Sequence, residues 1–321
     1  MRTRSLRAPF AVLALLASAS IAAPGLLAEV NALSLYQKTA RASVVARVRA
    51  ESDSTRRPEL QVLEIFKGSV AGGRVTIVPF HRNLVNDKPW LRPAMFRKGH
   101  EYLVFLTPYE PDRDEALFAD DSAETLEEAP GPALFEVLNA HHGVMEIPAE
   151  GSEALASAVR RFSAVIVLHD YDEQSRRLRA LLTEGNPYLV EAALQQVSEY
   201  RLARPEDVDA LLSLLDSPRA QFRAGALRIL GQLVTEPAPR GEKAPERARL
   251  SSLVIGRAFG DSDPEVRGQA VLTLRDLGGD DAADVLRRIS RTDPDQEVRY
   301  RAEVALAEMT GAIPPPRHEA P

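Results

Sequence analysis

The chain has 321 residues, 45% of them hydrophobic and 27% charged, which is ordinary for a globular protein. That length accommodates about two domains. A formal charge of −6 argues against a nucleic-acid binder, and the absence of cysteine excludes disulfides and a cysteine-linked lipid anchor.

Residues 1–28 open with a basic stretch, Arg2, Arg4 and Arg7. An apolar run begins at Phe10, reaches Ala28 and is broken by Pro24-Gly25. This order reads as a secretory signal peptide, cleaved after Ala22 or Ala28. An uncleaved membrane anchor is the competing reading, disfavoured by the Ala and Ser content and the Pro-Gly break. Removing 1–28 takes three arginines and no acid, moving the formal charge from −6 to −9. The expectation is a periplasmic or secreted bacterial protein with no stable membrane insertion after signal cleavage.

Residues 29–150 are rich in short β-prone runs. A helix is predicted over 31–40, then strands over 42–50, 60–66, 74–78, 101–106, 133–138 and 143–147. Glu101–Leu106 is the most apolar of them and is expected to be central. Six such runs with Gly and Pro between them predict a small antiparallel β-barrel. Trp90 lies in a Pro-flanked loop, where it either contacts a partner or plugs one end of the barrel. Residues 112–128 carry eight carboxylates against Arg113. They read as a solvated loop, with a weak cation or partner contact as the alternative. Leu155, Val159, Phe162 and Ile166 fall at helical spacing and predict a connector helix over 152–167 that closes the barrel; residues 169–173 lead on from it.

Residues 173–312 repeat. Val190, Phe222, Val266 and Val298 are equivalent, and without a 12-residue insertion at 235–246 their period is 32 throughout. One place after each anchor stand Glu191, Arg223, Arg267 and Arg299. Four places after stand Leu194, Ala226, Ala270 and Ala302; eight after, Ser198, Leu230, Leu274 and Leu306. These offsets share one helix face. A first helix precedes each, over 176–183, 205–215, 247–259 and 280–289. Asp, Ser and Pro in the intervening turns suit helix starts. No single pair buries enough apolar surface to offset the entropy of ordering it, so the pairs must stack. The predicted fold is therefore a β-barrel followed by an all-α solenoid, with residues 151–172 as connector and 313–321 as a disordered tail.

Two family resemblances follow from these residues. Asp263-Pro-Glu-Val-Arg267 and Gln296-Glu-Val-Arg299 resemble HEAT repeats of the short bilin-lyase-like type. The resemblance implies that Arg223, Arg267 and Arg299 form a structural ladder against turn acids of their own or the next repeat. The runs Ser43-Val-Val-Ala-Arg-Val48, Val62-Leu-Glu-Ile-Phe-Lys-Gly68 and Phe96-Arg-Lys-Gly-His-Glu-Tyr-Leu-Val-Phe-Leu106 resemble bacterial secreted domains related to the OB-like barrel of tissue inhibitors of metalloproteinases and netrin modules. In the animal inhibitors an N-terminal cysteine chelates zinc. This chain has none, so only the barrel is implied.

Motifs for chemistry are missing. His141-His142 on a strand would point to opposite faces, and His81 and His100 sit beside turns. Asp261, Asp263 and Glu265 gather at a helix start, where capping explains acids as well as a cation would. No catalytic residue, cofactor or metal ligand is assigned. The expected function is an exported, non-enzymatic scaffold that binds a cell-envelope protein on the solenoid. Two alternatives are a protease-inhibitor-like module acting through the barrel and a HEAT-repeat enzyme of lyase type.

Overall fold

A computed structural model describes residues 33–53, 58–77, 96–108, 134–138, 143–147, 151–235 and 247–313. Everything described lies in one compact unit that begins at Leu33. Residues 1–28, where a signal peptide is expected, His81, Trp90, the acidic stretch 112–128, His141-His142 and residues 314–321 lie outside the described residues.

Helix α1 (Leu35–Arg41) starts at Ser34, later than the periodicity suggested, because Ser34 and Gln37 form a reciprocal capping box. Its C-terminal carbonyls are collected by one lysine. Lys67 Nζ donates to Thr39 O, Ala40 O and Ala42 O at 2.9, 2.8 and 2.7 Å. Gly68 follows at φ +78°, and a Cβ there would stand 2.3 Å from Ser43 O. The Lys-Gly pair thus ends a strand, caps a helix and lets two backbones meet.

The strands are β1 (Val44–Ala50), β2 (Glu59–Lys67), β3 (Arg74–Ile77), β4 (Glu101–Pro108), β5 (Leu134–Val137) and β6 (Val144–Glu146). The order β1-β2-β3-β5-β4 closes through a β1–β4 pairing, giving a five-stranded barrel with β6 beside β4. All pairings are antiparallel except β3 with β5, which is parallel. Val44, Ala46, Val48, Leu60, Val75, Tyr102, Val104, Leu106 and Phe135 fill the interior. Two register shifts on the β1–β2 ladder bend β2, so Leu60 lines the barrel while Phe66 packs outside it.

β4 is central, as its unbroken apolar run suggested, because both of its faces are covered. Tyr102, Val104 and Leu106 point inward, while Leu103 and Phe105 lie under helix α2 (Ser152–Ile166) with Val45, Leu155 and Val159. Helix α2 therefore covers the outer wall of β1 and β4 rather than closing the barrel. One turn further, Phe162 meets the Tyr36 ring edge-on at 5.6 Å, and both rings belong to the solenoid's core. Burial, with Tyr200 nearby, pushes the Tyr36 hydroxyl up to about 12.

The solenoid comprises four helix pairs. They are α3 (Tyr171–Ala180) with α4 (Pro187–Glu199), α5 (Val208–Leu214) with α6 (Ala220–Thr235), α7 (Arg247–Gly260) with α8 (Pro264–Leu277), and α9 (Asp280–Thr292) with α10 (Gln296–Thr310). Helix α3 starts five residues before its expected position, because the Asp170 side chain accepts from Asp172 N and Glu173 N. Asn186, Asp263 and Asp295 cap α4, α8 and α10. Val190, Phe222, Val266 and Val298 are all buried in a single apolar cluster running from Tyr36 to Ala305. Ala226, Ala270 and Ala302 are fully buried, as expected where helices approach closely.

Candidate functional site

Arg223 and Arg267, one place after their anchors, make the same contacts in successive units, and Arg299 shares those to its own turn. Arg223 Nη1 donates to Ser217 O, six residues back, at 2.9 Å. Its Nε and Nη2 grip Asp261 of the next unit at 2.8 and 2.7 Å. Arg267 Nη1 donates to Asp261 O at 3.0 Å, while Nε and Nη2 grip Asp293 at 2.9 Å each. Arg299 Nη1 donates to Asp293 O and Pro294 O at 2.7 and 3.1 Å. Each aspartate also accepts from the amide two residues on, at Asp263 and Asp295. The guanidinium therefore holds its own turn with one nitrogen and the following repeat with two.

These pairs are shielded from water. The Arg267 and Asp293 side chains are 9% and 5% exposed. Burial alone would push Asp261 and Asp293 up. The arginine and backbone hydrogen bonds outweigh it and hold both below the ordinary carboxylate range. Their aspartate partners hold Arg223 and Arg267 above the usual guanidinium value.

The first unit lacks this arginine, with Glu191 in its place. Arg179 of α3 supplies the missing link, donating to Asp207 Oδ1 and Oδ2 at 3.1 and 3.0 Å and to Glu206 at 2.7 Å. The sequence reading missed Arg179, since it lies on the first helix and outside the repeated positions. Arg257 adds a further tie to Asp216.

The second helices α4, α6, α8 and α10 pack closely on one another, whereas the first helices of neighbouring units barely touch. A stack tighter on one side curves toward that side, so the second helices form the inner layer. Polar rungs cross it. Gln232 Nε2 reaches Ser198 O at 3.1 Å, Arg301 Nη1 reaches Glu265 at 3.0 Å and Arg275 Nη1 reaches Glu308 at 2.8 Å. Gly268 makes room for one of them, since a Cβ there would meet Arg301 Nη1 at 2.7 Å. At the barrel end, Gln37 Nε2 joins the layer to α1 through Glu199 at 2.9 Å. The result is a polar face with Arg228 exposed along it.

The remaining candidates are scattered. His100 Nδ1 lies 2.7 Å from Glu146 Oε1, with Arg97 3.6 Å from the same carboxylate. Asp263 caps α8 while Asp261 serves the arginine ladder, so the acids at that helix start are engaged in structure. Among the described residues, no cluster of His, Cys, Asp or Glu could hold a metal, and no helix is long and apolar enough to cross a membrane.

Residues 208–307 match the family described as HEAT repeats. No curated protein matches the chain. Among solved structures, an engineered protein from a structural genomics consortium is 16% identical, with a TM-score of 0.36 over 50% of this chain and 76% of its own. A designed armadillo repeat protein in complex with the peptide (KR)4 is 17% identical, with a TM-score of 0.35 over 50% of this chain and 77% of its own. A second designed armadillo protein is 17% identical, with a TM-score of 0.33 over 48% and 76%. Likenesses this weak say nothing of what this chain binds.

Proposed function

We propose that the chain is an exported, non-enzymatic scaffold that holds a cell-envelope protein along its second-helix face. The observation carrying this reading is the bidentate ladder, in which Arg223 and Arg267 fix the register of successive repeats. A surface held this rigidly loses little entropy when a partner docks. The polar rungs between α4, α6, α8 and α10 supply hydrogen-bonding groups at the spacing of the repeats. Export rests on the basic-then-apolar order of residues 1–28. The barrel serves as a mount, coupled to the first repeat through α1 and α2.

Site-specific photocrosslinking in the native host tests this. A photoreactive residue at Arg228 on the inner layer is expected to give one discrete adduct with an envelope protein. The same residue at Ser213 or Arg287 on the first helices is expected to give none. Equal labelling from both layers, or no adduct from a folded chain, would remove the assignment.

A further inference from the structure

The ladder starts only at the second repeat, and before that both of its members are replaced. The step from Arg267 to the aspartate it grips is 26 residues. The same step from Glu191 lands on Ser217. Ser217 holds the place of Asp261 and Asp293 in every other respect. Its Oγ accepts the amide two residues on, at Arg219, and its carbonyl accepts from the arginine six residues on. Between the first and second repeats the ladder pair is therefore a glutamate and a serine, which cannot form the grip.

What ties this seam instead does not fix an angle. Among the described residues Arg179 meets Asp207 and Glu206 through Nη1 alone. A fork that grips with two nitrogens holds the planes of both groups, whereas one nitrogen leaves a pivot. On the inner layer Gln232 Nε2 reaches Ser198, while its Oε1 is buried without a partner among the described residues. Gln196 of α4 is fully buried with both amide atoms in that condition. Such atoms fall on α2, α3, α4 and α6, and among the described residues none falls on α8 or α10. A seam whose polar groups are not committed to direct bonds shifts at low cost. The first repeat is meanwhile fastened to the barrel. Asn186 Nδ2 donates to Ala154 O at 2.6 Å, Gln37 joins Glu199 at 2.9 Å, and Leu35 and Tyr188 pack against both the outer barrel wall and the solenoid core.

We infer that the seam between α4 and α6 is a hinge, on which the barrel and first repeat turn as one body against repeats two to four. The turn changes the curvature of the inner layer at that one place, while Arg223 and Arg267 hold the rest. The hinge does not depend on what the inner face binds.

The test uses the full chain, which has no cysteine, with pairs of cysteines introduced for spin labels. Thr183 with Ser262, and Pro218 with Pro294, are exposed positions at or beside the turns. Each pair crosses two seams, a separation of about 20 Å. Only the first pair crosses the seam between the first and second repeats. Pulsed dipolar spectroscopy is expected to give a distance distribution at least about twice as broad for Thr183/Ser262 as for Pro218/Pro294. Glu191→Arg together with Ser217→Asp supplies both members of the missing pair and is expected to narrow the first distribution to the width of the second. Arg267→Leu, which removes a grip that only the second pair spans, is expected to broaden Pro218/Pro294 toward the first. Labels at Thr183 and at the exposed Gln61 of β2 are expected to give a distribution as narrow as that of Pro218/Pro294. Equal widths for Thr183/Ser262 and Pro218/Pro294 in the unaltered chain would overturn the hinge. So would a Thr183/Ser262 width that the paired substitution leaves unchanged in a folded chain. A broad Gln61/Thr183 distribution would also overturn it, because the barrel would then move on the first repeat rather than with it.

Discussion

Arg267→Leu is the sharpest perturbation of the ladder. It removes the two bonds to Asp293 and those to Asp261 O and Ser262 O, and leaves a carboxylate only 5% exposed without its counter-charge. Removing one member of a buried pair costs about 3–5 kcal/mol. Asp293 keeps the Asp295 amide, which offsets part of that loss and places the expectation at about 3 kcal/mol. Asp293→Asn alone leaves the guanidinium short of an acceptor and is expected to cost about 2 kcal/mol. The double variant has no buried charge left and retains the amide acceptor at 293. Its cost is therefore expected to fall short of the sum by about 2 kcal/mol. Urea unfolding of all four chains, followed by helical circular dichroism, closes the cycle. Additive losses, or a cost below about 1 kcal/mol for Arg267→Leu, would mean that the pair does not hold the repeats together.

Three other outcomes follow from the same geometry. Gly68→Ala places a Cβ 2.3 Å from Ser43 O at a positive φ and is expected to cost at least about 2 kcal/mol in a thermal melt; an unchanged midpoint would mean the Lys67-Gly68 turn is looser than described. Gln196 is fully buried, and neither of its amide atoms has a partner among the described residues, so Gln196→Met is expected to stabilise by about 1 kcal/mol, and a loss of that size would reveal a hydrogen bond through water. Asp261 and Asp293 have folded pKa values below their unfolded ones, so their contribution is complete above about pH 4 and disappears as pH falls through the depressed folded values. Urea midpoints measured from pH 6 to pH 2 are expected to fall less steeply for Asp293→Asn than for the unaltered chain, and parallel curves would count against the assignment.

The helical repeat was legible because its signals are local and periodic. Phe222, Val266 and Val298 recur with the same neighbours, and a shared core is the only arrangement that buries them all. The ladder arginines were visible as positions, but their direction was not. That Arg267 reaches Asp293 rather than its own turn's acids depends on how the layers are offset, which no spacing encodes. Arg179 escaped for a related reason: it substitutes for a repeated residue from a non-repeated place. In the barrel, the apolar pattern marked β1 and β4 as strands and β4 as central. It could not show that their outer faces are covered by α2, because Leu155 and Val159 are about a hundred residues away from Val45.

Because Arg223 and Arg267 each grip the aspartate of the following turn, the order of completion is built in. As the chain is synthesised, a newly formed helical pair holds a guanidinium with nothing to grip until the succeeding turn has arrived. Cutting the protein before Asp293 would therefore weaken not only the missing layer but the layer left behind, whose Arg267 would face water in place of its aspartate. Loss from the opposite end would leave these grips intact.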